Sequence, residues 1–380
     1  MGFIRGKCYN GSTHERFFTM DKKLKIAVIG CGGISNCHLG GYSRNPNVEI
    51  YALCDINKAR AEEKAQKYNV PLERVFDDKD KMFAALPEID AVSVCTWNNA
   101  HAECTIAALN AGKNVLCEKP MAMNAEQAKA MKAAADKNGK LLMIGFVRRH
   151  GNDANVVKDF IDNGFFGDVY YAKAQYLRRN GNPGGWFGDK SRSGGGPLID
   201  LGVHVIDLVR YLVGCPKPVS AYGATFHKLG NRPDVKSAQA YASADAKKKS
   251  EEICDVEDLA SAMIRFDNGM VLSVEASFSQ NLRQDVGNIE LYGDKAGAKM
   301  DPELHIFTNL NGYMTNVDFA GGTALSFDGL FDREINHYVD CVLGKAEKCI
   351  APAEDGITLM KILDAIYKSA ATGHEVLIED

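Results

Sequence analysis

The chain has 380 residues, 46% hydrophobic and 25% charged, a length that bounds it at about two domains. Lysine and arginine number 45 against 49 aspartate and glutamate, a net charge of -4, which excludes charge-driven binding to nucleic acid or a membrane surface. No apolar run is long enough to cross a bilayer, and eleven scattered cysteines without a C-x-x-C pair read as free thiols in a reducing cytoplasm.

Residues 1–21 lack a clear apolar core and a convincing cleavage site, so they read as an N-terminal extension rather than a signal peptide. From there to residue 146, short β-branched runs alternate with helical patterns. Strands are predicted at Lys25–Gly30, Glu49–Asp55, Asp90–Thr96, Asn114–Glu118 and Leu141–Phe146, and helices at 35–44, 58–68, 101–111 and 125–138. This alternation implies βαβ units and a parallel sheet. Cys54, Cys95 and Cys117 sit inside these strands as small hydrophobes. Beyond residue 150 a helix over 152–163 leads into longer alternating strands at 168–178, 218–226, 258–266, 270–279 and 288–292. Asn268-Gly269 supplies a hairpin turn between two of them. The second half is therefore α+β, around a mostly antiparallel sheet. Residues 228–256 are polar and read as a long loop, and helices return at 328–343 and 353–372.

The first strand runs into Gly30-Cys31-Gly32-Gly33-Ile34-Ser35, a dinucleotide fingerprint at a strand-to-helix turn. Gly30 permits the turn, and Gly32 and Gly33 let backbone approach a pyrophosphate seated on the helix N-terminus at Ile34. Ser35 stands where the pattern wants Gly or Ala. Asp55, closing the second strand, is placed to bond a ribose 2′-hydroxyl and repel a 2′-phosphate, so NAD is favoured over NADP. Lys58 and Arg60 lie nearby and moderate that preference, and Arg60 is kept as a cofactor candidate.

Another strand ends Glu118-Lys119-Pro120, at the carboxyl edge of the sheet where open α/β sheets bind ligands. Near the middle of the chain, Asp200, His204, Asp207 and Tyr211 recur at steps of four, three and four in an otherwise apolar stretch, one face of a helix buried nearly all round. A buried polar stripe is costly unless it is paired or reactive. Oxidising a secondary alcohol requires a base, a donor to steady the alkoxide and a hydride acceptor. His204 suits the first role and Lys119 the second. Asp200 shares a face with His204 and can balance both charges; Asp207 and Tyr211 read as anchors. Gly194-Gly195-Gly196 ahead of this helix is expected to bring its start close to a ligand with its amides free. The loop 178–187, with Trp186, reads either as a cover for a sugar or as a plain connector. Asp200-x-x-x-His204 could also offer two metal ligands, but no further Cys/His cluster shows ligand spacing, so no metal is expected.

Taken in order, the Gly30 loop, Thr96-Trp97-Asn98-Asn99-Ala100-His101, Glu118-Lys119-Pro120, Gly145-Phe146-Val147-Arg148-Arg149, Asp200-x-x-x-His204 and the closing Ala353-Glu354-Asp355-Gly356 helix resemble the Gfo/Idh/MocA oxidoreductases, the glucose–fructose oxidoreductase and inositol dehydrogenase group. The resemblance covers about residues 22–378. It implies an NAD-binding Rossmann domain over 22–146, an α+β substrate domain over 147–352 with a large open sheet, and a C-terminal helix over 353–380 packing back on the first domain. It also implies a cis Lys119–Pro120 bond, roles for Lys119, Asp200 and His204 as above, cofactor contacts from Thr96, Asn98, His101 and Glu118, and a substrate contact from Arg148. Where the family often has Thr-Pro-Asn this chain has Trp97, which stacks on cofactor or substrate, the reading favoured here, or simply packs. The activity expected is NAD-dependent oxidation of a ring hydroxyl of a sugar, glycoside or cyclitol, with C3 of a pyranoside as the leading position. The alternatives are a glycoside hydrolase working through transient oxidation and a non-catalytic NAD-binding regulator. The expected partners are small molecules and further copies of the chain, as a dimer or tetramer through the open sheet face.

Overall fold

The computed structural model describes residues 23–236, 242–243, 245–323 and 326–379, so the expected N-terminal extension lies outside the described residues. Six short strands pair in parallel: β1 (Leu24–Ile29), β2 (Val48–Cys54), β3 (Val75–Phe76), β4 (Ala91–Val94), β5 (Asn114–Glu118) and β6 (Leu142–Gly145). Their order across the sheet is β3-β2-β1-β4-β5-β6. β4 and β6 are buried along their whole length, as befits a parallel sheet covered on both faces. The covering helices are α1 (Ser35–Arg44), α2 (Lys58–Tyr68), α3 (Lys79–Ala85), α4 (Asn98–Asn110) and α5 (Ala125–Asn138). Their ends are set locally. Asn124 accepts the Gln127 amide at 2.9 Å to start α5, and Gly139, at φ +60°, ends it. The order reverses between β1 and β4, which opens a crevice at their carboxyl ends.

α6 (Asn152–Asp162) leads into the second sheet. Its strands are β7 (Val169–Leu177), β8 (Pro218–Phe226), β9 (Leu259–Phe266), β10 (Val271–Ser277), β11 (Val286–Gly293), β12 (Ala296–Met300), β13 (His305–Leu310), β14 (Tyr313–Val317) and β15 (Val376–Leu377), ordered β14-β13-β12-β11-β7-β10-β9-β8-β15. Every pairing is antiparallel except β7 with β10. The sheet is as the sequence implies in kind but longer. β3, α3 and β12 to β15 escape the sequence reading because each is short; β12 is built of small and polar residues and β14 is largely exposed.

Between β7 and β8 come a short α7 (Lys190–Ser193) and α8 (Val203–Leu212), whose first turn, Leu198–Gly202, is wound as a π-helix. α8 packs its apolar side on β7, β10 and β11. α9 (Leu330–Val342) returns to lie on α1, where Gly41 lets Ile335 approach. α10 (Ala353–Thr372) bridges the two sheets. Its Ser369 hydroxyl accepts the Gly223 amide of β8 at 2.9 Å, and its Asp364 accepts the Ala125 amide at 2.8 Å. The buried apolar residues of both sheets form one contiguous core.

Candidate active site

The glycine loop lies at the mouth of the β1/β4 crevice. Gly30 sits at φ +90°, and a Cβ there would meet the Cys95 carbonyl at 2.6 Å, so only glycine lets β1 and β4 close. A Cβ at Gly32 would meet nothing within 4 Å. The amides of Gly32, Gly33 and Ile34 have no acceptor among the described residues, and they stand at the N-terminus of α1, where the helix dipole favours an anion. Ser35 is buried and donates to the Gly32 carbonyl at 2.7 Å, which explains its tolerance at the third fingerprint position. Asp55 accepts the Cys31 amide at 2.7 Å and the Asn57 amide at 2.8 Å, bracing the loop with a carboxylate. The loop thus offers free amides, an open cradle and an acidic residue beyond it, a donor set that fits a dinucleotide. Arg60 is half-buried at the start of α2.

Lys119 follows β5 through a cis bond to Pro120. Its Nζ donates to Asp200 Oδ1 at 2.9 Å and to the Asp200 carbonyl at 3.1 Å. The π-turn widens the helix where these groups meet, a distortion common at functional sites. His204, one turn on, makes no hydrogen bond among the described residues. Burial, then the nearby charges of Lys119 and Arg148, push its imidazole well below the ordinary range, so it stands neutral with a lone pair free at neutral pH. The stripe divides at this point. Asp200 and His204 are only half-buried, whereas Asp207 is buried and takes both arms of Arg149 at 2.9 and 2.6 Å, and Tyr211 carries the Arg149 guanidinium over its ring at 4.8 Å.

Other candidates are engaged within the protein. Glu118 is buried and bonded to His38 Nε2 at 2.7 Å. His101 donates from Nδ1 to the Pro120 carbonyl at 2.7 Å, with Nε2 3.2 Å from the Thr96 carbonyl; it fixes the two turns that flank the crevice. The Thr96 hydroxyl donates to the Trp97 carbonyl at 3.2 Å. Asn98 donates to the Ser193 carbonyl at 2.7 Å. Trp97 carries the Arg192 guanidinium 4.6 Å from its ring centre, so α4 and α7 are tied beside the crevice. Arg148, read as a substrate contact, is buried against Asp153 at 3.0 Å, Tyr176 at 3.0 Å and Asp301 at 3.4 Å. Tyr176 and Asp301 in turn wall a cleft of about 590 Å³, with Arg178, Asn288 and Lys299. Trp186 stacks on Phe187 at 4.0 Å and is not among the residues walling that cleft.

The glycine triplet before α8 does not leave the Gly194 and Gly196 amides free: Gly194 donates to the Lys190 carbonyl at 2.9 Å. Glu257, buried just ahead of β9, accepts the Gly196 amide at 2.9 Å and the Leu198 amide at 3.2 Å, and takes the Tyr367 hydroxyl from α10 at 2.9 Å. The close approach that excludes side chains here is to protein: a Cβ on Gly195 would fall 2.0 Å from the Tyr367 oxygen, and one on Gly196 would fall 2.4 Å from the Glu257 carbonyl. Glu257 therefore caps the catalytic helix candidate from a distant strand. Only its apolar flank and acidic neighbour mark it in the sequence.

Residues 24–146 match an oxidoreductase family model with an NAD-binding Rossmann fold, and residues 155–299 match the Gfo/Idh/MocA C-terminal domain. D-glucoside 3-dehydrogenase of Escherichia coli is 37% identical over 356 residues, 93% of this chain and 97% of its own. Levoglucosan dehydrogenase of Pseudarthrobacter phenanthrenivorans is 30% identical over 288 residues, 72% of each chain. A solved structure of levoglucosan dehydrogenase with NADH superposes with a TM-score of 0.79 at 25% identity, covering 94% of this chain and 100% of that one.

Proposed function

The chain belongs to the Gfo/Idh/MocA oxidoreductases, and from that premise we propose that it oxidises a secondary ring hydroxyl of a D-glucoside or related pyranoside, at C3. It is an enzyme of the family's sugar and inositol dehydrogenase group, and NAD is its cofactor. The preference for a glucoside rests on the resemblance to the Escherichia coli relative.

NAD, when bound, accepts the hydride from the carbinol carbon. The chain's own groups handle the proton and the charge. His204, neutral and without a hydrogen-bond partner among the described residues, takes the hydroxyl proton. Lys119 donates to the same oxygen and steadies the alkoxide as it forms. Asp200 holds the ammonium at 2.9 Å, which fixes its direction. Asp55 disfavours a 2′-phosphate, so NADP is the poorer cofactor. The Lys119–Asp200 pair beside an unpartnered imidazole is the observation that carries this reading.

The test is NADH formation on a panel of glucosides, free sugars and inositols, with a His204→Asn variant beside it. Oxidation of a glucoside is expected, reduced by about 10²–10⁴-fold in the variant. Unaltered turnover in the variant would overturn the mechanism. Release of aglycone without net NADH would reassign the chain to hydrolysis through transient oxidation.

A further inference from the structure

We propose that His337, Cys341 and Cys349 form a binding site for one soft divalent cation of the zinc class, at the seam between α9 and the strap that leads to α10. Four residues apart on α9, His337 and Cys341 occupy one face of the helix. The strap turns at Gly344, φ +69°, closed by the Lys345 amide on the Asp340 carbonyl at 2.8 Å. That turn brings Cys349 back over the same face, and the ligand atoms of the three residues lie within 4.8 Å of one another. Cys341 Sγ is 3.4 Å from His337 Nε2. A tetrahedral zinc ion, with bonds of about 2.3 Å to sulfur and 2.0–2.1 Å to nitrogen, sets those two atoms about 3.6 Å apart. That pair therefore already stands near the spacing of a filled site.

The chemistry agrees with the geometry. Two thiols and an imidazole are a soft donor set, selective for zinc-like ions over magnesium or calcium. All three residues are half-buried, so the cluster is open to an entering ion. The Cys341 thiol donates a hydrogen bond to Cys349, so the two sulfurs already face each other. Cys341 must lose its proton on binding, and the Ile350 amide, now 3.1 Å from His337 Nε2, must yield that lone pair. A fourth donor is near. The His150 ring lies 5.5 Å from that of His337, and its buried Nε2 has no partner among the described residues.

The cluster shares no residue with Lys119, Asp200 or His204. Its consequence is structural: the Ile350 carbonyl accepts from Arg149 and the Ala351 carbonyl from the Ile144 amide at 3.0 Å, so an ion on Cys349 would pin the strap against β6. Chain order hides the site, because Cys349 follows Cys341 outside the usual ligand spacings.

The test is titration of the full chain with cadmium as a spectroscopic probe and with zinc. One equivalent is expected to bind with a thiolate-to-cadmium charge-transfer band and proton release, and zinc is expected to raise the melting temperature. Cys349→Ser and His337→Asn should each abolish the stoichiometric band while NADH binding reports an intact fold, and Cys215→Ser should retain it. A band unchanged in Cys349→Ser, or none in the native chain, would overturn the proposal. So would a pair that takes up no cation and closes to a disulfide under peroxide.

Discussion

His150 and His204 show what burial does to an imidazole when the neighbours are cations. Desolvation comes first for both, and positive groups add to it: Arg149 and Arg333 around His150, Lys119 and Arg148 around His204. His150 falls to about 3 from an ordinary 6.5. The unfolded chain therefore binds a proton that the native chain refuses, and stability must rise with pH in that interval. The contribution is complete above 6.5 and is lost as pH falls toward about 3, at about 1.4 kcal/mol per pH unit for one such group. Thermal melts from pH 7 to pH 4 should fall more steeply for the native chain than for a His150→Gln variant. Parallel curves would show that His150 does not titrate in this way. At this scale the sequence was legible where chemistry is local, and the spacing of Asp200 and His204 or the glycines after β1 can be read by eye. It was opaque where the partner is remote. Nothing near Arg148 announces Asp301, and nothing near Glu118 announces His38.

Among the elements, α8 bears His204, the proposed base, and three distant parts of the chain hold the helix in place. Glu257 caps its start, Tyr367 of α10 holds Glu257, and Arg149 grips Asp207 at its middle. The Glu257 carboxylate acts through the helix rather than on the substrate, so it is a positioning residue. Glu257→Gln keeps the shape and removes the charge, and one of its three bonds must then be lost or reversed. We expect kcat to drop by about tenfold, with stability lower by about 1–3 kcal/mol and NAD affinity unchanged, measured by steady-state kinetics and NADH fluorescence titration. An unchanged kcat would reduce Glu257 to a purely structural brace. Periodicity identified this helix but could not show the π-turn, because a π-turn differs from an α-turn only by the packing that widens it. The short edge strands β12 to β14 were missed for a related reason: their pairing, not their composition, makes them strands.

The whole molecule has one large sheet with a covered face and an open one. α8 and α10 cover the first. The second presents Tyr222 and Met263, cross-strand neighbours about half exposed, with Phe307 further along the same face. Exposed aromatic and aliphatic side chains on a sheet face that no element covers among the described residues suit an interface, and we propose that two copies of the chain meet there. Tyr222→Lys with Met263→Lys should shift sedimentation from oligomer to monomer, and a native chain that already sediments as a monomer would contradict that surface. The strongest demand of the account lies between the sheets, where Lys119 from one and His204 from the other must serve a single hydroxyl. A double-mutant cycle measures this directly. Lys119→Met and His204→Asn are each expected to lower kcat/KM for the oxidised glucoside by about 10²–10⁴-fold, and the double variant to be little worse than the weaker single, as for groups that act as a unit. Losses that multiply independently, or a single variant with native turnover, would contradict it.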